Sequence, residues 1–138
     1  MAEKTIDIAS PILSRNELLA DQLRQRFKET NTYVINVLSS PGSGKTTTIL
    51  GTNERLRDKA GLRCAVIEGD IASDVDAITM KEAGMPAIQI NTGGLCHLEG
   101  NMIMEAVDAF DQAVGLQNID VIFIENVGNL VCPVDFDL

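Results

Sequence analysis

The run Ser-Ser-Pro-Gly-Ser-Gly-Lys-Thr at residues 39–46 decides the fold of this chain. It follows residues 33–38, a short and almost wholly apolar segment rich in β-branched side chains, which predicts a strand buried on both faces. A helix is predicted to begin near Lys45 and to end near Gly61, because glycine is a common C-terminal cap. A glycine-containing loop between a buried strand and a helix is the setting that a phosphate-binding loop requires.

The residue types in this loop determine its expected chemistry. Gly42 and Gly44 allow backbone N–H groups to converge on an anion, and the helix N-terminus adds the positive end of its dipole. Lys45 would contact the terminal phosphates as a point charge, and the Thr46 hydroxyl would bind Mg²⁺. The usual pattern begins with glycine, whereas this chain has Ser39 there. A serine- and glycine-rich turn that binds nothing is the alternative, and the Gly-Lys-Thr triplet in this setting disfavours it.

A helix is predicted before this loop. Ser14 and Glu17 have the spacing of a capping box, which places the start of an amphipathic helix at residue 14 and its end near residue 29. Its predicted apolar stripe is formed by Leu18, Leu19, Leu23 and Phe27.

Strands and helices alternate after the loop. Further strands are predicted at residues 63–67, 86–90 and 120–124. Between them are a helix that ends near residue 83, with Ile71, Val75 and Ile78 on one side, and a longer helix at residues 98–114. This alternation indicates βαβ units, and therefore one α/β domain over residues 1–138 with a parallel sheet and helices on both faces, as in P-loop NTPases. The fourth strand is followed by a short turn-like stretch, so this domain is expected to be incomplete.

Two acidic residues follow predicted strands. Asp70 comes just after the second strand, and Glu125 ends the fourth. Because ligands of doubly wound sheets bind at the carboxyl ends of strands, both carboxylates are expected on the phosphate side, where they could hold Mg²⁺ or orient the attacking water. Solvated loop carboxylates are the alternative. Asp74 and Asp76 are interpreted as surface or first-turn acids of the next helix.

Cysteine and histidine side chains are also expected at this edge of the sheet. Cys96 and His97 follow the third strand, and Cys132 follows the fourth. Thiolate and imidazole suit Zn²⁺ or Ni²⁺ better than Mg²⁺. The spacing is no established metal motif, however, and on the residues alone it favours unligated loop residues. Cys64 lies mid-strand and is predicted to be a buried, inert thiol.

Composition restricts the classes of function. The net charge of −9 argues against nucleic acid as a partner, because phosphate-rich partners require clustered Lys and Arg. No apolar run has the length of a membrane span, and the N-terminus lacks the order of a secretory signal. We therefore expect a cytoplasmic protein, in which three cysteines are too few and too unevenly placed for a disulfide scaffold.

Four motifs together resemble the family of hydrogenase nickel-incorporation GTPases known as HypB. They are Ser-Ser-Pro-Gly-Ser-Gly-Lys-Thr at residues 39–46, Glu-Gly-Asp at 68–70, Gly-Gly-Leu-Cys-His-Leu at 93–98 and Glu-Asn-Val-Gly-Asn-Leu-Val-Cys-Pro at 125–133. The resemblance spans nearly the whole chain, and the last two motifs are specific. Serine at position 39 belongs to this family's own pattern.

The resemblance implies an activity and a set of site residues. The activity is GTP hydrolysis in a metallochaperone that assists nickel insertion, within the dimer-forming class of P-loop GTPases. The homodimer would act with other hydrogenase accessory proteins and the hydrogenase large subunit. Implied nucleotide contacts are Pro41, Gly42, Ser43, Gly44, Lys45, Thr46 and Thr47; implied Mg²⁺ residues are Thr46, Asp70 and Glu125; implied Ni²⁺ or Zn²⁺ ligands, at a dimer interface, are Cys96, His97 and Cys132. Lys45, Asp70 and Glu125 are the implied catalytic residues.

Two features of the family are absent from these residues. The guanine-reading Asn-Lys-x-Asp motif does not occur and is expected beyond Leu138, and there is no histidine- or cysteine-rich N-terminal nickel tract. A guanine preference is therefore implied by resemblance alone. The alternatives are a Ni/Zn-binding module with impaired nucleotide turnover and a small-molecule kinase with adenine specificity.

Overall fold

The computed structural model describes residues 9–38, 44–69, 74–93 and 98–126, with side chains from residue 15 in the first helix and from residue 78 in the third. The elements in chain order are α1 (Ala9–Thr30), β1 (Tyr33–Val37), α2 (Lys45–Ala60), β2 (Cys64–Glu68), α3 (Asp74–Glu82), β3 (Ala87–Gln89), α4 (Gly100–Val114), a 3₁₀ turn (Leu116–Asn118) and β4 (Val121–Glu125). Each predicted strand and helix is present, with ends that differ by a few residues.

The four strands form one parallel sheet in the order β1-β4-β2-β3. The register pairs Val37 with Glu125 and Glu125 with Glu68, so the carboxyl ends of β1, β4 and β2 meet at one edge. This arrangement confirms the predicted α/β fold with a parallel sheet, and it brings the ends of three strands to the same place.

Helices cover both faces of the sheet. On one face, α1 and α4 pack on β2 and β4 through Leu23, Phe27, Ile103, Val107, Phe110, Ala65, Ile67, Ile122 and Ile124. On the other face, α2 and α3 pack through Ile49, Met80, Cys64, Val66 and Phe123. Because side chains alternate along a strand, consecutive residues of β2 and β4 belong to opposite layers. We call these the α4 face and the α2 face.

The predicted capping box at Ser14 is wrong. Helix α1 begins at Ala9, so Ser14 and Glu17 lie within it and cannot mark its N-terminus. Pro11 lies in the first turn, where the missing N–H has no intrahelical partner and proline is tolerated. The Ser-x-x-Glu spacing therefore occurs inside a helix rather than at its start.

Three apolar residues that were predicted to be buried are exposed to solvent. Leu18 is 64% exposed and Ile78 is 55% exposed, whereas Ala20 and Met80 are buried in their place. Strand β1 was predicted to be buried on both faces, but Tyr33 is 77% exposed. The reason is tertiary: β1 is the last strand of the described sheet on its side, and Tyr33 belongs to neither buried cluster.

None of the described helices is long and apolar enough to cross a bilayer.

Candidate functional site

Helix α2 begins at the carboxyl edge of the sheet with an unusual backbone turn. Its N-cap, Gly44, has φ 88° and ψ 27°, in the left-handed region that favours glycine. The carbonyl oxygen of Gly44 accepts hydrogen bonds from the backbone N–H and the hydroxyl of Thr48, both at 3.0 Å. Gly44 has no side chain to cap the helix, so no capping side chain of its own satisfies the first N–H groups of α2.

Lys45 is the first residue of α2 and is only 8% exposed. Among the residues that the structure describes, no carboxylate lies within ion-pair distance of its ammonium group. A cation near the positive end of a helix dipole is unfavourable unless an anion is close by. Lys45 and the helix N-terminus therefore create a positive potential that suits a phosphate group.

The start of α2 is bonded directly to the end of β4. The hydroxyl of Thr46 donates a 3.0 Å hydrogen bond to Oε1 of Glu125. Glu125 is buried, and its carbonyl oxygen accepts the N–H of Gly69 at 2.8 Å, which ties β4 to the end of β2. The structure thus brings Thr46 and Glu125 together. Hydroxyl and carboxylate oxygens are hard ligands of the kind Mg²⁺ prefers, so this pair fits that ion.

Glu68 is a second acidic residue in the described part of this edge, and the sequence reasoning did not single it out. It is 1% exposed and lies in register with Glu125 on the neighbouring strand. Residues in register on parallel strands point to the same face, so both carboxylates lie on the α2 face, where Thr46 is. The alternation of side chains along β2 could have identified Glu68. Residues 64 and 66 belong to the α2 face and residues 65 and 67 to the α4 face, so residue 68 is expected on the α2 face, at the strand end.

Other predicted site residues have different outcomes. Thr47 is exposed beside Thr46 on α2. Pro41, Gly42, Ser43, Asp70, Cys96, His97 and Cys132 lie outside the described residues, so the structure does not place these predicted phosphate, Mg²⁺ and Ni²⁺ or Zn²⁺ contacts.

Cys64 is a buried free thiol, as predicted. Burial raises the pKa of the Cys64 thiol, and the nearby negative charge of Asp120 raises it further. A raised pKa keeps the sulfur protonated at neutral pH, which makes Cys64 a poor metal ligand and a poor nucleophile. It belongs to the core of the α2 face rather than to the site.

Sequence comparison identifies the family to which this geometry belongs. The family model described as "CobW/HypB/UreG, nucleotide-binding domain" matches residues 33–136, from the first residue of β1 to beyond the end of β4. The chain belongs to this family. Within the matched range are the start of α2, Glu68 and Glu125, so the residues brought together at the sheet edge are part of a nucleotide-binding domain of the CobW/HypB/UreG type.

Two curated relatives illustrate the similarity. The chain is 45% identical over 136 residues to the hydrogenase/urease maturation factor HypB of Helicobacter hepaticus, an alignment that covers 99% of this chain and 54% of the relative. It is 44% identical over 135 residues to the hydrogenase maturation factor HypB of Escherichia coli, covering 98% of this chain and 44% of that protein. The chain therefore spans about half the length of the curated relatives it matches.

Solved structures agree with the sequence comparison. The HypB of Helicobacter pylori, crystallised in complex with nickel, superposes with a TM-score of 0.78 at 41% identity, covering 90% of this chain and 56% of that one. The HypB of Archaeoglobus fulgidus superposes with a TM-score of 0.80 at 37% identity, covering 91% and 58%. At these identities and TM-scores the chain shares its fold with both structures.

Proposed function

We propose that this chain is the nucleotide-binding part of a GTPase that hydrolyses GTP to GDP and phosphate and assists nickel insertion during hydrogenase maturation. The observation that supports it most is the hydrogen bond from Thr46 at the start of α2 to Glu125 at the end of β4; Thr46 directly follows Lys45, which is buried. A phosphate-binding helix start joined to an acidic strand end is the arrangement that P-loop nucleotide hydrolysis uses.

The proposed phosphate contacts come from one segment of the chain. Residues 41–47 would surround the β- and γ-phosphates, with backbone N–H groups supplied by every residue except Pro41, and Lys45 would balance the phosphate charge. Hydrolysis needs water as its second substrate: the water oxygen bonds to the γ-phosphorus, the bond from that phosphorus to the β–γ bridging oxygen breaks, and the water's protons pass to solvent and phosphate. The chain supplies position and charge rather than covalent chemistry.

The acidic residues are proposed to hold magnesium and to orient water. Thr46 and Glu125 supply oxygen ligands of the type that Mg²⁺ prefers, and we assign Asp70 to the same ion from its place in the sequence. Bound magnesium neutralises negative charge on the phosphates. Glu68, in register with Glu125, is a further buried carboxylate at this edge of the sheet.

Nickel is proposed as cargo, with Cys96, His97 and Cys132 as its ligands. These residue types suit Ni²⁺, and they equally suit Zn²⁺. Support comes from the nickel complex of the Helicobacter pylori HypB, to which this chain is 41% identical. Since Glu125 and Cys132 are seven positions apart, hydrolysis is expected to move Cys132 relative to Cys96 and His97, so that the GTP and GDP forms differ in nickel affinity.

Assembly and location belong to the same proposal. We infer a homodimer with the nickel ligands at its interface, acting with other hydrogenase accessory proteins and the hydrogenase large subunit in the cytoplasm. The names of the relatives, which are hydrogenase or hydrogenase/urease maturation factors, support the choice of partners.

Nucleotide binding by the full-length protein tests the central part of this proposal. We expect fluorescent guanine nucleotide to bind in the presence of Mg²⁺ and Lys45→Ala to weaken it about tenfold or more, since a charge-assisted contact is lost. Lys59→Ala, at the exposed opposite end of the same helix, is the matched control and should change nothing. Glu125→Gln should retain binding and slow phosphate release. Binding that is indifferent to Lys45→Ala would remove the proposal, and tighter binding of adenine nucleotides would favour a kinase.

The nickel assignment requires a separate experiment. Cys96→Ala and Cys132→Ala should each lower Ni²⁺ affinity and remove the thiolate-to-nickel charge-transfer absorbance. Cys64→Ala is the matched control, because this buried thiol lies in the core and should leave both readouts unchanged. Wild-type affinity in either of the first two variants would show that nickel binds elsewhere.

A further inference from the structure

Asn126 follows Glu125 directly and is 0% exposed. Its backbone N–H donates to the carbonyl oxygen of Val37 at 3.2 Å, which continues the hydrogen-bonded ladder between β1 and β4 by one residue. By strand parity Glu125 projects to the α2 face and Asn126 to the α4 face. Two consecutive residues at one strand end therefore reach opposite sides of the sheet.

The side chain of Asn126 joins two other segments on the α4 face. Its Oδ1 accepts the backbone N–H of Leu98 at 3.2 Å, and its Nδ2 donates to Oδ1 of Asn36 at 3.2 Å. Asn36 belongs to the strand that leads into the phosphate-binding loop. Leu98 comes directly after the proposed ligand His97 and two residues before the start of α4.

Leu98 is itself closely packed. It is fully buried, and a Cβ added to Gly69 would lie 2.5 Å from its Cδ1 atom. Gly69 directly precedes Asp70 in the chain. The amide of Leu98 is thus bonded to Asn126, which follows Glu125, and its side chain packs against Gly69, which precedes Asp70. In a closely packed interior, displacement of either strand end is therefore transmitted to Leu98.

We propose that Asn126 is a positioning residue that couples the nucleotide site to the segment carrying Cys96 and His97. This inference rests on the proposed function. A change at Glu125 that moves the end of β4 moves Asn126, and the buried N–H of Leu98 must follow because an unsatisfied buried amide is costly. This route reaches Cys96 and His97, whereas the chain connection from Glu125 to Cys132 reaches the third ligand.

Asn16 provides a matched comparison. Its Oδ1 accepts the N–H of Gly100 at 2.6 Å, so it also binds a backbone amide at the start of α4. Asn16 lies on α1 rather than on a strand end of the nucleotide site. Removing the side chain of Asn126 deprives the buried N–H of Leu98 of its acceptor, and removing that of Asn16 does the same to the N–H of Gly100. Of the two asparagines, Asn126 is the one that directly follows Glu125 in the chain.

The test measures amide hydrogen exchange at residues 98 and 100 of the full-length protein with GDP and with a non-hydrolysable GTP analogue. In the wild type we expect exchange at Leu98 to differ about fivefold or more between the two nucleotides, the lower end of usual allosteric coupling. Asn126→Ala should abolish this difference, while nucleotide affinity should change by less than about fivefold, the lower end of usual allosteric coupling. Asn16→Ala should speed exchange at Gly100 with either nucleotide and keep the difference at Leu98.

Nickel affinity is the second readout. The ratio of Ni²⁺ dissociation constants between the two nucleotide forms should approach one in Asn126→Ala and stay at its wild-type value in Asn16→Ala. If Asn126→Ala does not fold, Asn36→Ala replaces it, because it removes only the acceptor of Nδ2 and leaves the Leu98 amide paired. That variant should reduce the nucleotide response.

The outcomes separate this inference from the proposed function. A wild type that binds no guanine nucleotide contradicts the proposed function itself. A wild type that binds nucleotide and nickel but keeps its nucleotide response in Asn126→Ala or Asn36→Ala overturns the role of Asn126 alone. Equal loss of the response in Asn16→Ala also overturns it, because the effect would then come from any weakening of the α4 start.

Discussion

The contact between Gly69 and Leu98 allows a sharp prediction about stability. The backbone of Gly69 is not in the left-handed region, so alanine is conformationally acceptable there and any cost must come from its Cβ. That Cβ would lie 2.5, 2.6 and 2.7 Å from Cδ1, Cγ and Cδ2 of Leu98, distances at which one of the two side chains must move. Leu98 is fully buried, and protein interiors are packed closely enough that moving such a side chain costs free energy.

The magnitudes follow from these two facts. Gly69→Ala overpacks the core and is expected to destabilise by about 1–3 kcal/mol. Leu98→Ala leaves a cavity in the layer between α1, α4 and the sheet, at a cost of about 2–5 kcal/mol. In the double variant the added methyl group occupies part of that cavity and meets no leucine. The double variant should therefore be no less stable than Leu98→Ala alone, with an interaction energy of at least about 1 kcal/mol.

Urea unfolding of the full-length protein, followed by far-ultraviolet circular dichroism, measures the stability of the wild type, the two single variants and the double variant. These four proteins form a double-mutant cycle. The slopes of the four transitions must agree for the free energies to be compared. Gly51→Ala is the control: it lies in α2 with nothing within 4 Å of an added Cβ, and it should stabilise the protein by up to about 1 kcal/mol.

Additive free energies, within about 0.5 kcal/mol, would refute the reasoning. They would mean that Leu98 can move aside for a Cβ at Gly69, and that the packing between β2 and the start of α4 is looser than the distances indicate. The inferred transmission from Gly69 to Leu98 would then lose its physical basis.

Three further predictions concern single residues. Gly44→Ala should cost about 1–2 kcal/mol in urea unfolding, because its Cβ meets nothing within 4 Å but φ is +88°. The backbone N–H of Arg63, followed by its side chain, lowers the pKa of Asp120, so this stabilisation is present above the unfolded-state pKa of about 3.9 and is lost as pH falls through the lower folded-state value. Melting temperatures of Asp120→Asn should therefore fall less steeply with acid than those of wild type, whereas Asp58→Asn, at an exposed site, should follow wild type. Cys64 should resist alkylation in the native protein and react after unfolding, as read by peptide mass spectrometry, and rapid native labelling would contradict its burial.

The alternation of strands and helices, the start of α2 and the parallel sheet could all be predicted from the sequence. These are local features: β-branched apolar runs form strands, glycines end helices, and a Gly-Lys-Thr triplet between them marks the start of α2. Because the carboxyl ends of parallel strands share one edge, the sequence also indicated that Glu125 would lie near Thr46.

Which residues of each element are covered, and which side chains meet across the sheet, depends on the tertiary structure. Leu18, Ile78 and Tyr33 look like core residues in the sequence, yet exposure depends on strand order and helix placement, which local periodicity does not encode. The same is true of Glu68 beside Glu125 and of Asn126 against Leu98, since those pairs are separated by 57 and 28 positions in the chain. Their contacts arise from the order β1-β4-β2-β3 and the alternation of faces, so they become visible only when the sheet is assembled.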